Sequence, residues 1–230
     1  MSTRKPAART AIIGVAPGKS AAPIAKSRRI FLLSPANMSG RRAQMAVSER
    51  AQFPLAVRLR EMGAPLGEIF AFISGLYFRG KLAYARAFAE TPAGMPGAFV
   101  ITACGGLIPP ETPVTASELR RICAADIDPS DLRYRGPLER DAHSLAEMVG
   151  GECEIVLLGS VATPKYVEPL LGIFGERLLF PAQFAGRGDM SRGGLMLRCA
   201  RSGVELAYVP VATGDRHGPR PTRLPKLPRG

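Results

Sequence analysis

A mostly parallel α/β sheet flanked by helices, with disordered basic tails at both ends, is the fold that this 230-residue sequence predicts. Two patterns lead there. Across residues 30–211, apolar runs of strand length alternate with longer stretches of helical periodicity, as expected for strands joined by helical crossovers. Glycines and small residues close these runs, and no repeat period or internal linker divides them. The chain therefore reads as one α/β domain, 30–211, between tails 1–29 and 212–230.

The first strand is Ile30–Leu33, ended by Ser34-Pro35. A helical stretch from Arg41 to Met62 follows Ser39-Gly40, with a kink at Pro54 and a stop at Gly63. Leu66 to Ile73 and Tyr77 to Glu90 read as two helices around a Ser74-Gly75 break. In the second, Leu82, Ala85, Phe88 and Ala89 share one face. Ala98–Ala103 is the next strand, rich in β-branched and aromatic residues. Ser117 caps a short helix, and Pro137 opens another that runs to Val149. Glu154–Leu158 is a strand, Pro164 to Phe174 a helix ended by Gly175, and Leu178–Phe180 a short strand. Gly193 to Val211 reads either as helix then strand or as a hairpin turning at Ser202-Gly203.

The net charge of +12 sits at the chain ends. Residues 1–29 hold seven basic and no acidic residues, residues 212–230 hold five basic residues against Asp215, and residues 30–211 hold 19 basic against 18 acidic. Such tails gain affinity for phosphate polyanions by releasing counterions, so nucleic acid is the expected partner; a merely solubilising tail is the other reading. The first 29 residues also have the composition of an organelle transit peptide, but Pro6, Pro17 and Pro23 interrupt the amphipathic helix such a peptide needs. No apolar run approaches the roughly 18 residues of a membrane-spanning helix, so a cytoplasmic protein without a membrane partner is expected. Cys104, Cys123, Cys153 and Cys199 include no closely spaced pair of zinc ligands, and no metal is expected. The sequence specifies no cofactor.

In parallel sheets, ligands sit beyond the carboxyl ends of the strands. Three of the predicted strand ends carry small or polar residues, which makes Ser34 and Asn37, then Thr102, Gly105 and Gly106, then Gly159 and Ser160 ligand-binding candidates. Cys104, before two glycines and near expected helix starts, is a candidate reactive thiol. The segment Gly186 to Gly194 reads as a polar loop whose Arg187, Gly188, Ser191 and Arg192 suit a phosphate or carboxylate, with Asp189 orienting a guanidinium or acting as a base. Those loops are expected to line one cleft. Tyr77, Lys81 and Tyr84 fall on one helical face, two phenols around an ammonium, and Gly80 between them signals a close approach by another element. No phosphate loop, dinucleotide fingerprint or nucleophile elbow is present. His143 and His217 are the only histidines, so a histidine-based triad is not expected.

Several stretches resemble the YaaA-like peroxide-stress proteins and related bacterial and phage proteins. They are Phe31-Leu32-Leu33-Ser34, the Leu76-Tyr77 to Tyr84-Ala85 helix, Val100 to Glu111, Leu158-Gly159-Ser160 with Lys165-Tyr166-Val167-Glu168-Pro169-Leu170-Leu171, Phe180-Pro181, and Gly186-Arg187-Gly188. Lys165 in the fourth of these joins the ligand-binding candidates. The chain departs from the pattern at Cys104-Gly105, where an Ala/Lys-Tyr pair is expected. A weaker likeness to uracil-DNA glycosylases rests on Val156-Leu157-Leu158-Gly159 before a helix; the His-Pro-Ser signature is missing. The resemblance implies an α/β fold and DNA association under oxidative stress, and assigns no catalytic residue. Two functions are carried forward. One is a nucleic-acid-associated protein that binds a nucleotide, base or phosphate backbone in a stress response or DNA modification. The other is a metabolic transferase or glycosidase acting on a free nucleotide or other phosphorylated small molecule.

Overall fold

The computed structural model describes residues 28–219, 221, 222 and 224; the predicted N-terminal tail up to residue 27 and most of the last eleven residues lie outside the described residues. The tail boundary moves by one residue, because Arg29 opens the first strand, β1 (Arg29–Leu33), held by Glu154 and Glu205. The chain continues through α1 (Arg41–Ala46), α2 (Pro54–Glu61), β2 (Ala64–Pro65), α3 (Leu66–Ser74), α4 (Leu76–Phe88), β3 (Ala98–Ile101), β4 (Leu107–Ile108) and β5 (Pro113–Val114). It then forms α5 (Ala116–Ile122), α6 (Leu132–Val149), β6 (Glu154–Leu158), α7 (Pro164–Phe174), β7 (Leu178–Pro181), α8 (Asp189–Ser202) and β8 (Tyr208–Pro210).

Six strands form one sheet in the order β4-β3-β1-β6-β7-β8. The inner four run parallel, and β4 and β8 are antiparallel edges. Ile30 to Leu33 and Ile155 to Leu158 are wholly buried, which is why the central strands read as unbroken apolar runs: helices cover both faces. The chain leaves β1 toward β3 on one side and later returns to place β6 on the other. The order of strands therefore reverses between β1 and β6, and a crevice opens there beyond their carboxyl ends.

Four local readings are corrected. The expected helix from Arg41 to Met62 is two helices, because Pro54 stands in the first turn of α2, where its missing N–H costs nothing, and starts a helix rather than kinking one. The cap of α5 is Thr115, not Ser117: the Thr115 hydroxyl accepts from the Glu118 N–H while the Glu118 carboxylate accepts from the Thr115 N–H. Helix α6 begins at Leu132 under an Asp131 cap, so Pro137 lies inside it. Residues 186–194 are not one loop. Gly188 caps α8, and the segment to Pro210 is helix then strand, separated by the left-handed Gly203.

Helices α4 and α8 pack against each other at a glycine pair. A methyl group on Gly80 would lie 2.6 Å from the Gly193 carbonyl oxygen, and one on Gly193 would lie 2.7 Å from that of Leu76. The close approach signalled by Gly80 is thus helix on helix, and it brings the first turn of α8 to the carboxyl edge of the sheet. At the start of the predicted C-terminal tail, Gly218 and Pro219 lay their backbone across Gly186, and Leu224 lies near Gly194.

Candidate functional site

The crevice beyond β1 and β6 is a cleft of about 1380 Å3. Asn37 and Ser39 after β1, Asp126 and Asp128 between α5 and α6, Arg133 in the first turn of α6, Lys165 and Tyr166 at the start of α7, and Asp189 at the start of α8 line it. The Asn37 side-chain oxygen accepts from the Ser39 N–H at 2.9 Å and hydroxyl at 2.7 Å, which turns the chain away from β1. Tyr134 of α6 donates its hydroxyl to the Lys165 carbonyl at 2.8 Å, fixing the first turn of α7 against the opposite wall. Hydrogen bonds from the Ser130 N–H and hydroxyl hold the Asp128 carboxyl below its ordinary value, and Arg133 does the same for Asp131.

Behind the wall lies a cluster that joins two of the predicted constellations. Lys81 of α4 is fully buried, and its ammonium donates to the Ser34 carbonyl at 2.5 Å and meets the Ser34 Oγ at 2.9 Å. It stands 4.2 Å from the Tyr77 ring centre and 5.0 Å from that of Phe78, within cation–π range. Among the described residues no carboxylate lies within ion-pair distance of it. Burial draws its pKa down to about 7; Asp189 works against this, and Arg192 adds to it. Burial pushes Tyr77 up to about 12 and raises Tyr166. The Tyr77 hydroxyl, beside Ser34 and Arg192, makes no hydrogen bond of normal geometry.

Arg192 is also buried, but its fork is already engaged. Nε and Nη2 donate to the Phe184 carbonyl at 3.3 and 2.9 Å, Nη1 donates to that of Gly159 at 3.4 Å, and the guanidinium lies over the Phe184 ring. Asp189 is 3.9 Å away and exposed, so the carbonyls rather than a bidentate carboxylate set the plane of Arg192. Asp189 opens α8, where an acid favours the helix dipole, and its charge reaches Lys81, Tyr77 and Tyr166.

The structure thus brings Ser34, Asn37, Tyr77, Lys81, Gly159, Lys165, Asp189 and Arg192 to one edge, and leaves the other candidates elsewhere. Tyr84 turns away, its hydroxyl 2.7 Å from that of Tyr208 and accepting from the Leu206 N–H. Thr102, Gly105 and Gly106 form a hairpin into β4, not a turn into a helix: the Thr102 hydroxyl donates to the Gly106 carbonyl and accepts from the Gly105 N–H. Gly106 has a φ of +68° and lies so close to the Asp141 carboxylate that no side chain fits there. Cys104 is half-buried, and the helix end beside it is a carboxyl terminus, since its N–H donates to the Ile122 carbonyl of α5. Burial, with Cys104 adding, pushes its neighbour Cys123 up to about 12. Ser160 is half-buried, Gly188 caps α8, and Arg187 is bound to the Ser191 Oγ at 3.1 Å; none of these four lines the cleft. Each of the three loops expected to line one cleft gives it a residue, Ala103, Thr163 and Asp189, but neither Arg187 nor Arg192 lines it.

The residues that sequence reasoning passed over are Tyr166, named only inside a motif, and the stretch Cys123 to Arg133. Its signal was local: Asp126, Asp128 and Asp131 among small residues, directly before a helix. Among the described residues, no group of three or more His, Cys, Asp or Glu side chains is arranged to hold a metal ion, and no helix is long and apolar enough to cross a membrane. What fold and site define is a doubly wound α/β protein with a polar cleft at its switch point. Compared with protein-family models, curated proteins and solved structures, the chain matches none.

Proposed function

We propose that the protein binds a nucleotide, or another phosphorylated small molecule, in the crevice beyond β1 and β6, and works in the cytoplasm on or beside nucleic acid held by its basic termini. The observation that carries this reading is the cluster of Ser34, Tyr77, Lys81 and Arg192 directly behind one wall of a cleft at the switch point of the sheet, a wall to which Tyr166 and Asp189 belong. Lys165 supplies an exposed cation for a phosphate, and the buried Tyr166 beside it contributes to the lining of the cleft. The likeness to YaaA-like peroxide-stress proteins supports the nucleic-acid part of the reading and extends it to a role in a stress response or DNA modification.

A second reading, a transferase or glycosidase acting on a free nucleotide, is favoured by the rim of the cleft. Asp126, Asp128 and Asp189 stand there against Arg133 and Lys165, a mixed field that suits a small ligand better than a polyanion. Equilibrium dialysis of the full-length protein against nucleoside monophosphates, nucleosides and inorganic phosphate tests both. Retention of at least one nucleotide is expected, weakened by Lys165→Ala; retention of none overturns the proposal. Release of free base from a retained nucleotide, followed by chromatography, decides for the enzyme.

A further inference from the structure

We propose that Lys81 is the proton-exchange residue of this site, passing protons to and from the cleft through the hydroxyl of Ser34 and the phenol of Tyr166. The inference deepens the nucleotide-binding reading and rests on it only for the ligand. Lys81 itself does not reach the cleft, but its ammonium meets the Ser34 Oγ at 2.9 Å, and Ser34 stands beside the hydroxyls of Tyr77 and Tyr166, of which Tyr166 lines the cleft. The geometry serves both protonation states. The neutral amine donates one N–H to the Ser34 carbonyl and takes the Ser34 hydroxyl proton on its lone pair. The ammonium donates to both oxygens, which turns the Ser34 hydroxyl proton toward the phenols.

The choice of residue supports the role. The chain uses arginine 25 times and lysine six times, yet the one fully buried cation among the described residues is a lysine. Arginine cannot give up its proton in a protein, whereas a buried amine does so readily. Between residues 28 and 219 the only lysines are Lys81 and Lys165, and both stand at this edge. The groups that face Lys81 are Tyr77 and Phe78 from α4, Ser34 from the end of β1, Tyr166 near it from α7, and Asp189 and Arg192 from α8. Burial and Arg192 favour the neutral amine and Asp189 the ammonium, which holds its pKa near 7. In the exchange, a proton leaving a ligand group passes by way of the Tyr166 phenol to the Ser34 Oγ, as the Ser34 proton passes to Nζ. The ligand ends one charge more negative and Lys81 one more positive, with no other bond changed.

Selective isotopic labelling of lysine in the full-length protein gives six side-chain signals to follow by NMR against pH. One is expected to titrate near pH 7, to be missing in Lys81→Met, and to move its midpoint upward when a retained nucleoside monophosphate is added. In Ser34→Ala, exchange of the Lys81 Nζ protons with water is expected to slow several-fold, which a purely structural lysine would not show. Titration of Lys81 near its ordinary value of 10.5 overturns the inference, as does exchange in Ser34→Ala that is unchanged or faster. If no nucleotide binds, the nucleotide reading fails by itself, and the exchange measurement still decides the role of Lys81.

Discussion

Between about pH 7 and pH 10.5 the unfolded chain holds a proton on Lys81 that the folded chain has released. Stability rises with pH wherever the unfolded state binds more protons, by up to about 1.4 kcal/mol per pH unit for one group. Wild type should therefore gain stability relative to Lys81→Met across that window, and the difference should level off below it, where both states carry the proton. Urea unfolding of the two proteins at a series of pH values checks this; taking the difference cancels the titration of Cys123 and the tyrosines. Arg192 gives the contrasting case. Its removal strands the buried carbonyls of Phe184 and Gly159, so Arg192→Ala should cost about 3 kcal/mol, seen as a lower midpoint of thermal unfolding. The sequence reading placed this residue in a polar loop, where little loss of stability would follow.

At the scale of elements, the contact of α4 with α8 rests on two glycines that meet backbone to backbone. Gly80→Ala or Gly193→Ala should each destabilise the protein by about 1–3 kcal/mol through overpacking, measurable by urea unfolding. Gly80 was legible because a glycine inside a good helix costs stability and asks for a reason. Gly193 was not, since among Gly186, Gly188 and Gly194 it read as a loop, and only its partner helix reveals what it does. The turn at Cys104-Gly105-Gly106 shows a similar limit. A small-residue break after an apolar strand looks alike whether the chain enters a helix or folds back, and it is Asp141, 34 residues on, accepting from the Leu107 N–H, that receives the returning strand. The central strands and α3, α4 and α7 were legible because period and length agree there; β1 and β6 are apolar throughout and α7 has glycine and proline punctuation.

For the whole molecule, the charge asymmetry lies at the chain ends, mostly outside the described residues. The body is nearly neutral, and Arg29, counted with the tail, is spent on Glu154 and Glu205. Full-length protein should bind DNA or RNA with a log–log salt slope of roughly −6 to −9, as expected for about seven to ten neutralised phosphates. Replacing Arg4, Lys5, Arg9, Lys19 and Lys26 with glutamine should flatten that slope by about four to five, because each lost phosphate contact removes roughly 0.9. Filter binding at several salt concentrations reads it. A slope unchanged by the replacements would remove the N-terminal charges from the interface.

The C-terminal chain crosses Gly186, three residues before Asp189 at the mouth of the cleft. A tether anchored so near its target confines whatever it grips to a small volume around that target, and a weak hold then acts as a high local concentration. On the proposed function, a strand held by this part of the chain meets the cleft at a raised effective concentration instead of searching the volume of the solution. Occupancy of the cleft would then depend on where the chain is fastened to the body as much as on its charge.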